Sequence, residues 1–502
     1  METKFLEEID SNSEEVSIKR LNNANRDANE QFFTPVSVGL YMSSMFKPII
    51  KSTIYFLDPG AGVGNLTASF IASIYNWAKK PKVIIAVLYE IDDSLLPELR
   101  RSMDYCVDFC KNMDVELRVV IKNEDFIKIS AEALKENKEI TKYDYIILNP
   151  PYKKLGVSSL YKKLTLDINI DVSNYYAAFV ALSLKLLKKK SQLISITPRS
   201  FCNGLHFKAF RKIILESAKI EKLHKFKFRN DIFNDVLQET LIMFLTNNKQ
   251  KASDKVEIIE SNNDDFSNLV KARKEFSDVV FPNDNENIIR IIKEEDTKIV
   301  DTMHKMPCRI EELGINVSTG PVVDFREKLG LLSYEGDLLS IPIIYPENFG
   351  EGFIIWPIVG RKPGHLKEDS SNFNRLRPSG FYVLVKRFSS PEEKRRVVAS
   401  VYDPFKVRSQ YVAFDNKLNY FHVEKSGLGG LNIAKGLSLY LNSSLVDHYF
   451  RTFSGSTQVN VSDLKGLKYP TVDNMEILGE SYGDILPSQK QIDITVRDLV
   501  LQ

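Results

Sequence analysis

The run Tyr143-Asp144-Tyr145-Ile146-Ile147-Leu148-Asn149-Pro150-Pro151-Tyr152 constrains this chain more than any other stretch. From Tyr143 to Leu148 the aromatic, β-branched and leucine side chains suit a buried strand, and two consecutive prolines end it abruptly. Asn149 therefore falls at the strand's carboxyl edge, which is where ligands bind in an open α/β sheet. The Asn149 amide oxygen and the Pro150 carbonyl can together accept two hydrogen bonds from one planar NH2 group, and Tyr152 adds a flat face. A stiff turn after a strand would use the same four residues, so the neighbouring segments decide between the two readings.

Three earlier segments end in the same way. A strand over Ile54 to Leu57 runs into Asp58-Pro59-Gly60-Ala61-Gly62-Val63-Gly64, followed by a helical pattern to about Lys79. The glycine spacing is G-x-G-x-G, not the G-x-G-x-x-G of pyrophosphate sites, and Asp58 suits a cation or a hydroxyl better than a phosphate. Val83 to Tyr89 ends at Glu90, whose carboxylate can take both hydroxyls of a ribose. Val119 to Ile121 ends at Asn123, Glu124, Asp125 and Phe126. Asp58, Glu90 and Asp125 thus sit at the tips of three successive predicted strands, positions where acids also serve as helix caps and turns. Upstream, Thr34 can cap a helix with Pro35 at its first position.

Taken in order, Phe32-Phe33-Thr34-Pro35, the Asp58 to Gly64 turn, Glu90, Asp125-Phe126 and Asn149-Pro150-Pro151-Tyr152 resemble the motifs of S-adenosylmethionine-dependent DNA adenine-N6 methyltransferases. With the Phe-Thr-Pro element first and the recognition region last, the order resembles the gamma group of restriction-modification systems, over roughly residues 30–250. The resemblance implies an α/β, Rossmann-like sheet with helices on both faces and S-adenosylmethionine as cofactor. It implies cofactor contacts at Thr34, Asp58, Gly60, Gly62, Glu90, Asp125, Phe126 and Asn149: the methionine part at the helix after Phe-Thr-Pro and the glycine turn, the ribose at Glu90, the adenine at Asp125 and Phe126. Asn149, Pro150 and Tyr152 take the catalytic places, and Tyr152 and Phe233 the places that stack on a flipped base; Phe233 reads equally as a core residue. Glu30-Gln31 stands where the family often shows Gly. Asn149 to Lys154, with Ile196 to Gly204, looks most like the modification enzymes for CTGCAG.

The middle of the chain reads as a helix over Ser173 to Leu187, a strand over Gln192 to Thr197, a helix over Phe207 to Ala218 and an edge strand over Val236 to Leu245. From Asn247 to about Asp301 hydrophobic density falls and charge rises. The expected division is a loosely attached lead-in over 1–30, a catalytic domain over 31–250, a linker over 251–300 and an α+β target-recognition domain over 301–502. In that last part Arg361, Lys362, Lys386 and Arg387 sit at predicted strand ends, and a helix is expected over Leu437 to Phe450. Gln458 and Asn460 lie in a polar run resembling a loop of target-recognition domains in this group. Gln and Asn can bind adenine bidentately and Arg can bind guanine; a solvated face and a polar turn would use the same residues.

A chain of 502 residues is too long for a single core. It has no apolar run approaching the roughly 18 residues of a membrane span, and Met1-Glu2-Thr3-Lys4 does not open a signal peptide, so a cytoplasmic protein without a membrane partner is expected. Four cysteines without a CxxC pair read as reduced thiols, with no metal site. A net charge of +2 neither demands nor excludes nucleic acid. The expected partner is double-stranded DNA, bound by a monomer, with a cognate restriction endonuclease acting on the same site without a stable complex. Cytosine N4, an RNA base or a glutamine side chain offers the same planar amine, and a non-catalytic DNA-specificity protein could keep the fold.

Overall fold

Alternation of strand and helix builds the first of the two units into which the chain divides, residues 1–293 and 294–502. The computed structural model describes residues 2–500 except 22–32, 227–238, 263–265, 283, 328–330, 337–339, 359–361, 368 and 370–371. The first unit holds β1 (Thr53–Asp58), β2 (Val83–Tyr89), β3 (Glu116–Lys122), β4 (Tyr143–Leu148), β5 (Leu187–Pro198), β6 (Lys219–Phe226), β7 (Thr240–Thr246), β8 (Lys255–Ser261) and β9 (Val270–Glu275). They form one sheet in the order β3-β2-β1-β4-β5-β7-β6-β8-β9, with β7 and β9 antiparallel to their neighbours and the other strands parallel. The chain moves outward from β1 to β3, then returns to the other side of β1 at β4. That reversal makes the carboxyl ends of β1 and β4 a topological switch point.

Right-handed crossovers fix where the helices go: those joining β1, β2 and β3 cover one face, and those after β3 the other. Helices α1 (Glu2–Leu21), α2 (Val36–Ser44), α3 (Asn65–Tyr75) and α4 (Leu96–Lys111) pack among themselves. So do α5 (Phe126–Lys135), α6 (Leu160–Leu166), α7 (Tyr175–Leu186) and α8 (Lys208–Ser217). Covered on both faces, β4 is buried at every position. Its one charged residue, Asp144, accepts from Lys51 Nζ at 2.5 Å, Lys188 Nζ at 2.8 Å and the Tyr55 N–H at 2.9 Å. Burial alone would raise its pKa; the two ammonium groups and the amide hold the carboxyl below the usual range.

Three sequence expectations change here. The segment over 1–30 is not loosely attached where it is described: in α1, Phe5 and Ile9 enter the main core, and Phe5 stacks on Phe109 at 4.3 Å. Its buried stripe is partly polar, with Asn12 and Ser13 between Ile9 and Val16, so a count of apolar positions underestimates it. Residues 251–300 are no linker, because β8 and β9 extend the sheet. Their low hydrophobic density is that of strands near an edge: in β9 only Ala272 and Lys274 are buried. The strand expected at an edge over Val236 to Leu245 is instead β7, which is inserted between β5 and β6 and buried throughout.

The second unit is α+β. Asn316–Thr319, Leu418–His422, Tyr382–Lys386 and Ala399–Tyr402 form an antiparallel sheet in that spatial order, and a second sheet contains Ser340–Ile344 and Tyr411–Phe414. The helix expected over Leu437 to Phe450 is two, Leu431–Leu441 and Ser444–Phe453, because Ser443 caps the second through its hydroxyl on the Val446 N–H. Leu431–Leu441 crosses Val472–Glu480 with backbones in contact: a Cβ on Gly436 would stand 1.8 Å from the Met475 carbonyl oxygen.

Candidate active site

At the switch point the loops leaving β1 to β4 enclose a cavity of about 260 Å3. The first wall is the glycine turn. Gly62 has φ +56° and Gly64 φ +94°, left-handed values natural to glycine. A Cβ on Gly62 would lie 3.3 Å from the Phe33 ring. The turn is tied to the end of β2, where the Ala61 N–H donates to the Tyr89 carbonyl at 2.9 Å and the Gly62 N–H to Glu90 Oε2 at 2.8 Å. Glu90 Oε1 accepts from the Asp92 N–H at 2.8 Å, so two backbone amides fix the plane of a carboxylate that faces the cavity.

At the end of β3, Asp125 caps α5, its Oδ1 accepting from the Lys128 N–H at 3.0 Å. Oδ2 accepts from the Tyr161 hydroxyl at 2.6 Å, and this bond raises the Tyr161 pKa above that of a free phenol. Phe126 lies beside it, 5.3 Å from the Tyr89 ring and 5.2 Å from Phe179, making an apolar wall. At the end of β4, Asn149 is half-buried. Its Nδ2 donates to Thr34 Oγ1 at 3.0 Å, and the Tyr152 hydroxyl donates to its Oδ1 at 3.2 Å. The Tyr152 ring meets Tyr176 edge-on at 6.3 Å, and burial raises its pKa.

The family profile of Eco57I restriction-modification methylases matches residues 65–233, which contain the glycine-turn helix and the β2, β3 and β4 ends. The chain is 38% identical over 454 residues to the Type II methyltransferase M.PstI of Providencia stuartii, covering 89% of this chain and 88% of that protein. It is 37% identical over 480 residues to the Type II methyltransferase M.BsuBI of Bacillus subtilis, covering 94% of each. This chain belongs to the Type II methyltransferases of restriction-modification systems. The Type IIL restriction-modification enzyme MmeI, solved in complex with DNA, shares the fold at 11% identity with a TM-score of 0.54, over 99% of this chain and 73% of that one.

As a member of this family the methyltransferase uses S-adenosylmethionine, and the cavity suits it chemically: acidic acceptors at Glu90 and Asp125, an aromatic wall at Phe126 and Phe179, and a close-approaching backbone at Gly60 and Gly62. Two expected contacts do not line the cavity. Asp58 is wholly buried beneath the turn, where the Thr67 hydroxyl donates to its Oδ2 at 2.9 Å. Burial pushes its pKa up to about 7, with the Thr67 hydroxyl and the Gly60 amide opposing. Thr34, 4% exposed, does not cap a helix by its side chain; Pro35 takes the cap position of α2, and Thr34 stands behind Asn149. Of the lining residues, Ile91, Leu95, Ile127, Tyr161, Tyr175 and Phe179 have no role in the sequence reading. Phe33 enters that reading only inside the Phe-Thr-Pro element, Tyr175 and Phe179 fall within the helix expected over Ser173 to Leu187, and the others carry no signal of their own.

Phe233 and Arg361 lie outside the described residues, as do Phe32 and Glu30-Gln31. In the second unit the structure brings Arg387 and Gln458 together, Nη2 donating to Oε1 at 3.5 Å, and Lys386 lies 5.2 Å above the Phe349 ring. Lys362 pairs with Asp324 at 2.9 Å over the Tyr345 ring. Asn460 is engaged locally: its backbone N–H and Nδ2 both donate to Asp463 Oδ2, forming the cap of Val461–Lys465. Among the described residues no helix is long and apolar enough to cross a membrane.

Proposed function

We propose that this methyltransferase transfers a methyl group from S-adenosylmethionine to N6 of an adenine flipped out of double-stranded DNA. The observation that carries the reading is that Asn149 and Pro150 open onto the same cavity as Glu90 and Asp125. Bound there, the cofactor supplies an electrophilic methyl on a positively charged sulfur. Adenine N6 is a poor nucleophile because its lone pair is delocalised into the ring. Asn149 Oδ1 and the Pro150 carbonyl accept its two hydrogens, draw the nitrogen toward tetrahedral geometry and aim the lone pair at the methyl group. Transfer is a direct in-line displacement: the N6–methyl bond would form as the methyl–sulfur bond breaks, with the electron pair left on the sulfur of the departing S-adenosylhomocysteine and one N6 proton released to solvent, so no side-chain nucleophile is needed. A paired base cannot reach such a cavity, so the adenine leaves the stack, with Tyr152, and by the motif resemblance Phe233, as the aromatic neighbours of the flipped ring. Glu90 takes the cofactor ribose and Asp125 with Phe126 its adenine.

Residues 1–293 carry the chemistry in this reading, and the second unit reads the target through Lys362, Lys386, Arg387 and Gln458, with Arg361 and Asn460 also proposed. The motif resemblance points to CTGCAG as the site and to protection from an endonuclease that acts there without forming a stable complex. The enzyme is proposed to be monomeric and to work in the cytoplasm. The test is transfer from tritiated cofactor to a duplex containing CTGCAG, followed by digestion to nucleosides. Label in N6-methyladenine, lost when the site's adenine is replaced, supports the reading. Label in N4-methylcytosine, or none, overturns it.

A further inference from the structure

We infer that Thr34 is a positioning residue for Asn149 and not a cofactor contact. Four segments remote in sequence meet in one chain of hydrogen bonds that runs from the buried Ser13 to the half-buried Asn149. Asn65, the first residue of α3 after the glycine turn, donates through Nδ2 to Ser13 Oγ of α1 at 3.0 Å and to the Thr34 carbonyl at 2.9 Å. Thr34 Oγ1 then accepts from Asn149 Nδ2 at 3.0 Å. Ser13, Asn65 and Thr34 are 7%, 5% and 4% exposed, so the bonds among these three are shielded from competing water.

The two ends of a carboxamide have nearly the same shape, and only hydrogen-bond partners decide which end faces a ligand. Here the nitrogen end is turned onto Thr34 and the oxygen end lies against the Tyr152 hydroxyl, on the residue that lines the cavity. A target amine has hydrogens to donate, so the oxygen is the end it needs. The Thr34 backbone is itself held at its carbonyl by Asn65, which gives its hydroxyl a fixed place. The Thr34 side chain is buried, absent from the cavity wall and bonded to the catalytic amide, so its direct link to the reaction is that amide.

The inference rests on the proposed role of Asn149, and the experiment separates the two. Cofactor affinity is measured by calorimetric titration of the full chain with S-adenosylmethionine, and the single-turnover methylation rate of a CTGCAG duplex at saturating cofactor, for wild type, Thr34→Val, Thr34→Ser and Asn149→Ala. Thr34→Val keeps shape and loses the hydroxyl. It is expected to leave the cofactor Kd nearly unchanged and to slow transfer by about 10- to 100-fold, with Thr34→Ser restoring the rate. A raised Kd with an unchanged rate at saturation would make Thr34 a cofactor contact and overturn the inference. So would a Thr34→Val enzyme with both values intact, or a Thr34→Ser enzyme as slow as Thr34→Val. If Asn149→Ala retains full activity, the role of Asn149 fails and this inference fails with it. If Asn149→Ala is inactive while Thr34→Val is unimpaired, only the Thr34 inference falls.

Discussion

The Gly62 N–H donates to Glu90 Oε2 at 2.8 Å, so the tip of β2 holds the glycine turn that leaves β1. Glu90 therefore shapes the cofactor cavity as well as facing it. A mutation there has two effects in one direction: an acceptor is lost and the turn is loosened.

Glu90→Ala should weaken S-adenosylmethionine binding by about 1 to 3 kcal/mol, the cost of removing an acceptor that polar partners depend on. Glu90→Gln, which keeps one carbonyl oxygen, should lie between it and wild type. Calorimetric titration measures both, and an unchanged dissociation constant for Glu90→Ala would refute the placement of the ribose.

Asn149→Ala should lower methyl transfer by about a hundredfold or more, the effect of deleting a preorganised hydrogen-bonding group at a reacting atom. Its cofactor affinity should stay close to wild type, because the substitution removes an acceptor for the target amine. A variant with half the wild-type turnover would rule out the proposed chemistry.

Asp58 gives a prediction about pH. Its pKa is pushed up to about 7 in the folded chain, mainly by burial, against about 4 for an unfolded aspartate. Between those values the folded state binds more protons than the unfolded one, so this group makes stability fall as pH rises from about 4 to about 7, and contributes no further slope above. Asp58→Asn removes that slope. Denaturant midpoints at pH 5 and pH 8 should fall further for wild type than for the variant. Parallel behaviour of the two proteins would show that Asp58 does not titrate in this range.

Arg387 and Gln458 approach to 3.5 Å in the second unit, and Lys386 adjoins Arg387 in sequence. Alanine substitution of a base-reading member should cost about 1 to 3 kcal/mol on the true site and spare random DNA. Loss of a phosphate contact should weaken both and flatten the salt dependence. If specific binding and its salt slope survive all three substitutions, the reading surface is elsewhere in the chain.

The sequence by itself determined the strand ends. Tyr143 to Leu148 is apolar enough to be buried on both sides, Pro150 and Pro151 stop it, and Asn149 is left at the carboxyl edge; Glu90 and Asp125 follow from the same logic, and all three line one cavity. These positions are legible because strand burial and proline termination are local properties, written in consecutive residues. Side-chain partners are not local. An acid at a strand end suits a ligand or a brace equally well, and only the packing of Thr67 beneath the turn made Asp58 a brace. Thr34 reads from sequence as a helix cap or a cofactor contact, and Asn460 as a base-reading residue or part of a polar turn. The fold bonded Thr34 to Asn149, far along the chain, and closed Asn460 onto Asp463. The partly polar stripe of α1 and the half-exposed strand β9 were misread for a related reason. Whether a polar or sparse segment is buried depends on what packs against it, and that is decided only when the chain folds.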